Sequence, residues 1–309
     1  FDNFPDTVFH TREDFIKFEP QQKTDALLQA VKIYKPDPKI HFTHDYRPGA
    51  KMPATLWKIS PAIRSQIGGP DGFYFGDISL SLHSETIIRR NLNLLKSLLH
   101  WNNLDEIGRI YETDKIIGHH YTQHYNSHFK KMRYKKINLL EIGIGGYENP
   151  KAGGDSLRMW KTYFPFAKIY GIDIYDKKVL EEKRISIFQG SQIDSKFLDD
   201  VYKSAKSFDI IIDDGSHINK HVIETFKILF PKLNNGGVYV IEDTQTSYWE
   251  EFGGSSKDLK NEKTMMNFFK QLTDGLNHKE FKIDNYEAGY FDKKIIAIHF
   301  YHNLIFIYK

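Results

Sequence analysis

The sequence predicts an α/β fold in which a doubly wound, mostly parallel sheet follows a smaller N-terminal region. From about Lys136, apolar strand patterns alternate with helical patterns, and a strand that is joined to the next by a helix implies parallel pairing with right-handed connections. The run "FDIIID" is apolar at consecutive positions, as is typical of strands covered on both faces of a sheet. These two observations predict the fold class.

The elements follow one another in a regular order. The predicted strands are, in chain order, "KINLLEIGIGG", "AKIYGIDIYD", "RISIFQGSQID", "FDIIIDDGSH" and "GGVYVIEDTQ". The predicted helices between them are "DSLRMWKTYFP", which Pro165 ends, "SKFLDDVYKSA" and "KHVIETFKILFPKL". The final β-rich segment, "FKIDNYEAGYFDKKIIAIHFYHNLIFIYK", predicts a hairpin on one edge of the sheet.

The first hundred residues have a different character. Proline-bearing segments such as "KPDPKI" and "DYRPGAKMP" separate the helical stretches "TDALLQAVKIY" and "SETIIRRNLNLLKSLLH". We expect residues 1–100 to form an auxiliary region that contributes to a homo-oligomer, and residues 101–309 to form the main domain.

Composition excludes several classes of function. The 43 basic and 40 acidic residues give a net charge of +3 with no basic arm, so nucleic acid is not a favoured partner. The chain has no cysteine, which excludes disulfides, zinc thiolates and thiol nucleophiles. No apolar run approaches the ~20 residues of a membrane span, and the first residues lack the pattern of a signal peptide. We expect a cytoplasmic protein that does not bind membranes.

A glycine-rich turn follows the first predicted strand. Gly143, Gly145 and Gly146 allow a tight turn close to a ligand, Glu141 precedes them, and Asp173 ends the next strand, where a carboxylate can accept both ribose hydroxyls. The turn departs from G-x-G-x-x-G, and a polar excursion separates it from the next helix, which disfavours a dinucleotide pyrophosphate. A nucleoside that carries an amino acid, such as S-adenosylmethionine, fits better. A tight structural turn is the alternative.

Carboxylates end two predicted strands that we expect to be neighbours. Asp213 and Asp214 end the fourth strand, and Glu242 and Asp243 end the fifth. Like charges at close range raise pKa values and destabilise the fold, so a cation is the natural partner. Oxygen ligands without sulfur favour Mg²⁺, with Mn²⁺ or Ca²⁺ as substitutes. Capping of the following helix is the alternative for one or two of these acids.

His217 follows Asp214 by three residues and lies beside this acidic edge. Most of the 14 histidines are expected to be surface or core residues. Because Mg²⁺ prefers oxygen, we interpret His217 as a general base, and a metal ligand is the alternative role.

Several of these segments, taken in order, resemble one known family. The segments are "YETDK", "LLEIGIGG", "AGGDSLRMWKTYFP", "GIDIYD", "DDGSH" and "VIEDTQTSYW". They resemble the metal-dependent macrolide-sugar O-methyltransferases, the group that contains the mycinamicin and macrocin enzymes. The resemblance extends from about Leu104 to Trp249 and continues more weakly to the C-terminus.

The resemblance implies a class I, Rossmann-like methyltransferase fold with seven strands that binds S-adenosylmethionine and Mg²⁺. It implies metal ligation by Asp214, Glu242 and Asp243, and His217 as the base. The residues that it implies for the cofactor site are Thr113, Glu141, Gly143, Gly145, Ser156, Asp173, Gln192, Ile193 and Asp214. It also implies an N-terminal region that builds oligomers and closes over the active site.

The acceptor stays open at this stage. The resemblance predicts transfer of a methyl group to a sugar hydroxyl of a glycoside, a natural product or a nucleotide-linked sugar. A metal ion that orients the acceptor binds two neighbouring hydroxyls, and both sugars and catechols have such a vicinal diol. A metal-dependent methyltransferase of a catechol or polyketide hydroxyl is therefore the alternative within the class. A nicotinamide-dependent oxidoreductase and a binding module without catalysis are the alternatives outside it.

Overall fold

The computed structural model describes residues 93–97 and 99–309. The predicted helix "TDALLQAVKIY" lies outside the described residues, as does the start of "SETIIRRNLNLLKSLLH", of which residues 93–97 are helical. The chain divides after Ser84, so all described residues belong to the unit Glu85–Lys309. The boundary near residue 100 and the oligomerising role of the first hundred residues stay predictions.

One seven-stranded sheet organises the described residues, with strand order β3-β2-β1-β4-β5-β7-β6. The strands are β1 (Asn138–Ile142), β2 (Lys168–Asp173), β3 (Ile185–Gln189), β4 (Phe208–Asp213), β5 (Leu233–Glu242), β6 (Ala297–Tyr301) and β7 (Leu304–Tyr308). Strands β1 to β5 pair in parallel, whereas β7 runs antiparallel to both β5 and β6. The predicted parallel sheet with a C-terminal hairpin at one edge is confirmed.

Helices cover both faces of the sheet. They are α1 (Leu104–Tyr111), α2 (Asp114–Ile117), α3 (Thr122–Phe129), α4 (Asp155–Tyr163), α5 (Ser195–Ala205), α6 (Asn219–Leu229), α7 (Met265–Gly275) and α8 (Tyr290–Lys294). Short 3₁₀ turns connect several of them. Over residues 93–97 and 99–309, no helix is both long and apolar enough to cross a membrane.

The alternation of side chains along each strand divides the core in two. Leu139 of β1 packs with α1, α3 and α4 on the first face, and Leu140 packs with α5, α6 and α7 on the second face. In β4, Ile210 and Ile212 belong to the first face and Ile211 to the second. Covering on both faces explains why these strands are apolar at consecutive positions.

The short helices before β1 are tightly joined. Asn103 caps α1 by accepting a hydrogen bond from the amide of Glu106. Glu112, with φ of 58°, ends α1 in the left-handed region, and Thr113 then caps α2, its hydroxyl accepting from the amide of Lys115. This turn positions Lys115 so that its side chain reaches the carboxyl ends of β1, β4 and β5 from the interior.

Gly143 brings the ends of β1 and β4 into close contact. Its φ is +78°, and a Cβ atom at this position would lie 2.0 Å from the carbonyl oxygen of Asp214. A side chain would therefore displace the backbone that carries Asp214. Gly236 has a similar φ of +81°, but nothing lies within 4 Å of its Cβ position.

We expect Gly143→Ala to destabilise the protein more than the matched control Gly236→Ala. Both changes force alanine into a left-handed backbone, at about 1 to 2 kcal/mol each. Gly143→Ala adds a steric conflict with the backbone of Asp214, worth about 1 to 3 kcal/mol more. Urea unfolding followed by circular dichroism measures the difference. Equal losses in the free energy of unfolding would contradict the close approach.

Candidate active site

The carboxyl ends of the parallel strands meet at one edge of the sheet, where ligands bind in folds of this class. In the register of β4 and β5, Asp213 lies opposite Ile241, so Asp214 is level with Glu242. Glu141 lies in the neighbouring strand β1. Three strands therefore deliver carboxylates to the same place. The sequence predicts this for the acids that follow β4 and β5.

Strand alternation separates the two aspartates of β4. Asp213 follows Ile211 on the second face, where its carboxylate accepts hydrogen bonds from Gln192 (3.1 Å) and Tyr239 (3.3 Å). Burial raises the pKa of Asp213 to about 7. The expectation that both aspartates stand at the ligand edge is therefore wrong for Asp213, which is buried in the core.

Asp214, His217 and Asp243 form a cluster at this edge that could hold a metal ion. Ligand atoms from the three residues lie within 4.8 Å of one another. Nε2 of His217 is 3.9 Å from Asp214 Oδ1 and 3.8 Å from Asp243 Oδ2. The three side chains are 17–23% exposed, so the cluster is open to a ligand from solution.

Two residues of this cluster have an uncommon backbone. His217 has φ of 54° and Asp243 has φ of 53°. Residues other than glycine rarely adopt this left-handed conformation, and it persists only where the surroundings determine it. The carbonyl of His217 accepts a hydrogen bond from the Thr246 hydroxyl (2.9 Å), which holds the two turns together.

A buried lysine lies directly beneath the cluster. Nζ of Lys115 is 2.7 Å from Asp214 Oδ2, 2.7 Å from Glu242 Oε1 and 3.1 Å from Glu141 Oε1. Burial alone lowers the pKa of Lys115, but the three carboxylates outweigh it and hold the pKa well above the ordinary value. The ammonium is therefore charged. It supplies part of the positive charge that the clustered carboxylates require and for which the sequence predicts only a metal ion.

Glu242 faces inward toward this lysine. Its Oε1 contacts both Lys115 and the Tyr125 hydroxyl, and the residue is 2% exposed. It lies outside the cluster of Asp214, His217 and Asp243. The ligand set of Asp214, Glu242 and Asp243 therefore stays a prediction. In this set Glu242 would bind the ion through Oε2, because Oε1 contacts Lys115 and Tyr125.

Asp243 has two further neighbours from the segment between α2 and α3. The Tyr121 hydroxyl donates to Asp243 Oδ1 (2.7 Å), and Nδ1 of His119 is 3.5 Å from the same atom. The rings of His119 and Tyr121 stack at 5.0 Å. Burial and the charge of Asp243 raise the pKa of Tyr121, so its hydroxyl keeps its proton and acts as a donor.

Glu141 connects the lysine to the glycine-rich turn. It is fully buried, and burial raises its pKa to about 7 despite the opposing charge of Lys115. Among the described residues, Lys115 and Ser156 lie near its carboxylate, yet neither makes a well-aligned hydrogen bond to it. The ion pair with Lys115 reaches Oε1 only, and Oε2 is buried without a hydrogen-bond partner in the described part of the chain, so this carboxylate suits a second cationic group.

The turn after β1 lies next to the end of β2. Oδ2 of Asp173 accepts from the amide of Ile144 (3.1 Å), and Oδ1 accepts from the amide of Tyr175 (2.9 Å). Gly145 is exposed, and its nearest neighbour would lie 3.9 Å from an added Cβ atom, which leaves room beside the turn. Asp173, Gly143 and Gly145 therefore lie together, an arrangement that fits the predicted nucleoside site.

Gln192 and Ile193 lie farther along the same edge. The Gln192 side chain donates to Asp213 and to Thr225, and its Oε1 accepts from the amide of Ser216 (2.7 Å). These bonds use the side chain within the fold, so a purine contact is left to the backbone and to Ile193, which is 37% exposed.

Sequence reasoning missed Lys115, His119, Tyr121 and Tyr125, all of which precede β1. The segment "YETDK" is part of the resemblance, but the lysine in it received no role. Charge counting could have found it, because several buried carboxylates require a buried positive charge. Nothing in the local pattern indicates which of the many lysines supplies that charge.

Comparison with characterised proteins identifies relatives. The chain is 46% identical over 209 residues to mycinamicin VI 2''-O-methyltransferase of Micromonospora griseorubida and to demethylmacrocin O-methyltransferase of Streptomyces fradiae. Each match covers 67% of this chain, and 52% and 53% of the respective relative. The chain thus spans about half the length of the curated relatives that it matches. No protein-family model matches the chain.

Solved structures extend the similarity over nearly the whole chain. The MycE methyltransferase of the mycinamycin biosynthetic pathway, in complex with Mg and SAH, superposes with a TM-score of 0.65 and 30% sequence identity, covering 99% of this chain and 93% of MycE. A MycE complex that also contains mycinamycin VI superposes with a TM-score of 0.64 and 29% identity, covering 99% of this chain and 94% of MycE. The chain therefore belongs to the family of O-methyltransferases that includes MycE and the mycinamicin and macrocin enzymes.

Proposed function

We propose that this chain transfers a methyl group from S-adenosylmethionine to a sugar hydroxyl of a glycoside, with Mg²⁺ bound at the sheet edge. The observation that carries the proposal is that Glu141 beside the glycine-rich turn and the cluster of Asp214, His217 and Asp243 lie around one buried lysine. The proposed nucleoside site and the proposed cation site are therefore adjacent. The acceptor class is supported by the name of a third relative, 8-demethyl-8-alpha-L-rhamnosyl tetracenomycin-C 2'-O-methyltransferase of Streptomyces olivaceus, which specifies a rhamnosyl group.

The donor set fits a hard divalent cation. Asp214 and Asp243 offer carboxylate oxygens, which Mg²⁺ and Mn²⁺ prefer, and the chain has no cysteine to attract a softer metal. We propose that Asp214 and Asp243 hold the ion, and that Glu242 is the third ligand as the family resemblance implies.

The residues around the glycine-rich turn fit S-adenosylmethionine. The buried Glu141 carboxylate, which lacks a well-aligned partner, suits the cationic amino group, and Asp173 suits the ribose. Gly145 leaves the backbone of the turn accessible to the ligand, and Gly143 allows the turn to lie against the backbone of Asp214. Thr113, Ser156, Gln192 and Ile193 complete the proposed cofactor site.

His217 is the proposed general base. When bound, S-adenosylmethionine supplies an electrophilic methyl group, and Mg²⁺ lowers the pKa of a hydroxyl that it contacts. His217 lies between Asp214 and Asp243 and accepts the proton that the hydroxyl loses, while both carboxylates stabilise the resulting imidazolium. Tyr121 holds Asp243 in place through its hydrogen bond. A homo-oligomer remains part of the proposal.

We expect methyl transfer from labelled S-adenosylmethionine to at least one member of a panel of macrolide glycosides and nucleotide-linked sugars. Catechols, included in the panel, test the alternative acceptor. Chelation by EDTA should abolish the transfer, and added Mg²⁺ should restore it, because the acidic cluster requires the ion. Turnover that survives EDTA, or binding of NADH without binding of S-adenosylmethionine, would reject the proposal.

We expect His217→Ala to lower turnover by a factor on the order of 10² to 10⁴, because general base catalysis acts on the chemical step. Cofactor affinity should stay nearly unchanged. His119→Ala is the matched control, since His119 also contacts Asp243 but not Asp214; its effect should be much smaller. If His217 is instead a metal ligand, excess Mg²⁺ restores the activity of His217→Ala. If His119 is the base, the two variants exchange their effects.

A further inference from the structure

Lys115 occupies a position that the proposed chemistry does not use. It is 0% exposed, and its ammonium contacts Glu141, Asp214 and Glu242 from three adjacent strands. Asp214 and Glu242 each accept a hydrogen bond from this ammonium, and Glu141 is ion-paired with it at 3.1 Å. A buried charge is tolerated only when it is paired in this way, and the arrangement fixes the carboxylates as much as it fixes the lysine.

The contact with Asp214 orients that carboxylate. Lys115 contacts Oδ2, whereas Oδ1 lies 3.9 Å from His217 on the side of Asp243. One oxygen is therefore held inside the protein and the other is presented to the cation cluster. If Lys115 were absent, the carboxylate of Asp214 would be free to rotate and Oδ1 would lose its fixed direction.

The contact with Glu141 reaches the other ligand site. Glu141 belongs to β1 and lies two positions before Gly143, the first residue of the glycine-rich turn. Its Oε1 lies 3.1 Å from the ammonium. The same lysine that orients Asp214 thus also restrains the acid that we assign to the amino group of the cofactor.

We propose that Lys115 is a positioning residue shared by the two sites, which orients Asp214 for the metal ion and Glu141 for the cofactor. The inference rests on the proposed function. This role differs from that of a counter-charge alone, because the two roles predict changes of opposite sign in the affinity for the cation when Lys115 is replaced. Loss of a counter-charge leaves the site more negative and strengthens cation binding, whereas loss of orientation weakens it.

The test measures binding, not activity. Mn²⁺ affinity is followed by electron paramagnetic resonance, and the affinity for S-adenosylhomocysteine by calorimetry, each on the whole chain. We expect Lys115→Met to weaken both by on the order of 10-fold or more, the usual effect of removing a residue that orients a ligand. Reversible unfolding weakens the apparent affinity in proportion to the folded fraction, so circular dichroism under the titration conditions measures that fraction and the dissociation constants are corrected for it.

Tyr125→Phe is the matched control. Tyr125 is also fully buried and contacts Oε1 of Glu242 as Lys115 does. Among the described residues its hydroxyl hydrogen-bonds to Glu242 alone, so we expect both affinities to change less than about threefold. If Tyr125→Phe and Lys115→Met lose similar affinity for Mn²⁺ and S-adenosylhomocysteine, Lys115 acts only through its contact with Glu242. That result would overturn the inference.

Lys115→Met leaves three carboxylates without their partner, so a second variant protects folding. Lys115→Met/Glu141→Gln removes one positive and one negative charge together, and it retains Asp214, His217 and Asp243. Because Glu141→Gln also alters the proposed cofactor site, only the Mn²⁺ affinity is compared for this variant. It should again fall on the order of 10-fold. An Mn²⁺ affinity that is unchanged or higher in either folded variant overturns the inference.

The wild-type measurements separate the two hypotheses. If the wild-type chain binds neither Mn²⁺ nor S-adenosylhomocysteine, the proposed function fails. If the wild-type chain binds both and Lys115→Met binds both equally well, the proposed function stands and the role of Lys115 is refuted.

Discussion

The ion cluster of Lys115 with Glu141, Asp214 and Glu242 constrains the rest of the described structure. Parallel strands necessarily bring their carboxyl ends together, and here three adjacent strands carry acids at or next to these ends, of which Glu141 and Glu242 are buried and Asp214 is 19% exposed. Such charges destabilise a fold unless an opposite charge is placed among them. The segment before β1 must therefore dock against the first face of the sheet, where the cap at Thr113 directs Lys115 beneath the acids.

Positive charge is thus supplied to the acids from two sides. Lys115 approaches from the interior, and the cluster of Asp214, His217 and Asp243 remains open to a cation from solution. Asp214 belongs to both groups, with one carboxylate oxygen in each. The chain itself thus supplies a positive charge on the inner side of the acids, and Tyr121 holds Asp243 on the outer side through its hydrogen bond.

The sheet could be predicted from the sequence because its physical signal is local. Continuous isoleucine runs, intervening helical patterns and acids after the strands determine β1 to β5 and the position of Asp214, His217 and Asp243. Asp213 was placed wrongly, although alternation along "FDIIID" assigns it to the same face as Ile211 and hence to the core. Lys115 could not be predicted, because its partners lie 26 or more positions away and only the packed fold brings them together.

We propose that the acids at the sheet edge share two cations, one of which is the Lys115 ammonium. Anomalous diffraction from crystals grown with Mn²⁺ and S-adenosylhomocysteine locates the other. We expect an anomalous peak about 2 Å from oxygens of Asp214 and Asp243, with the Lys115 ammonium still between Asp214, Glu242 and Glu141. A peak at the position of the Lys115 ammonium, with the side chain displaced, or the absence of a peak at Asp214 and Asp243 would contradict this proposal.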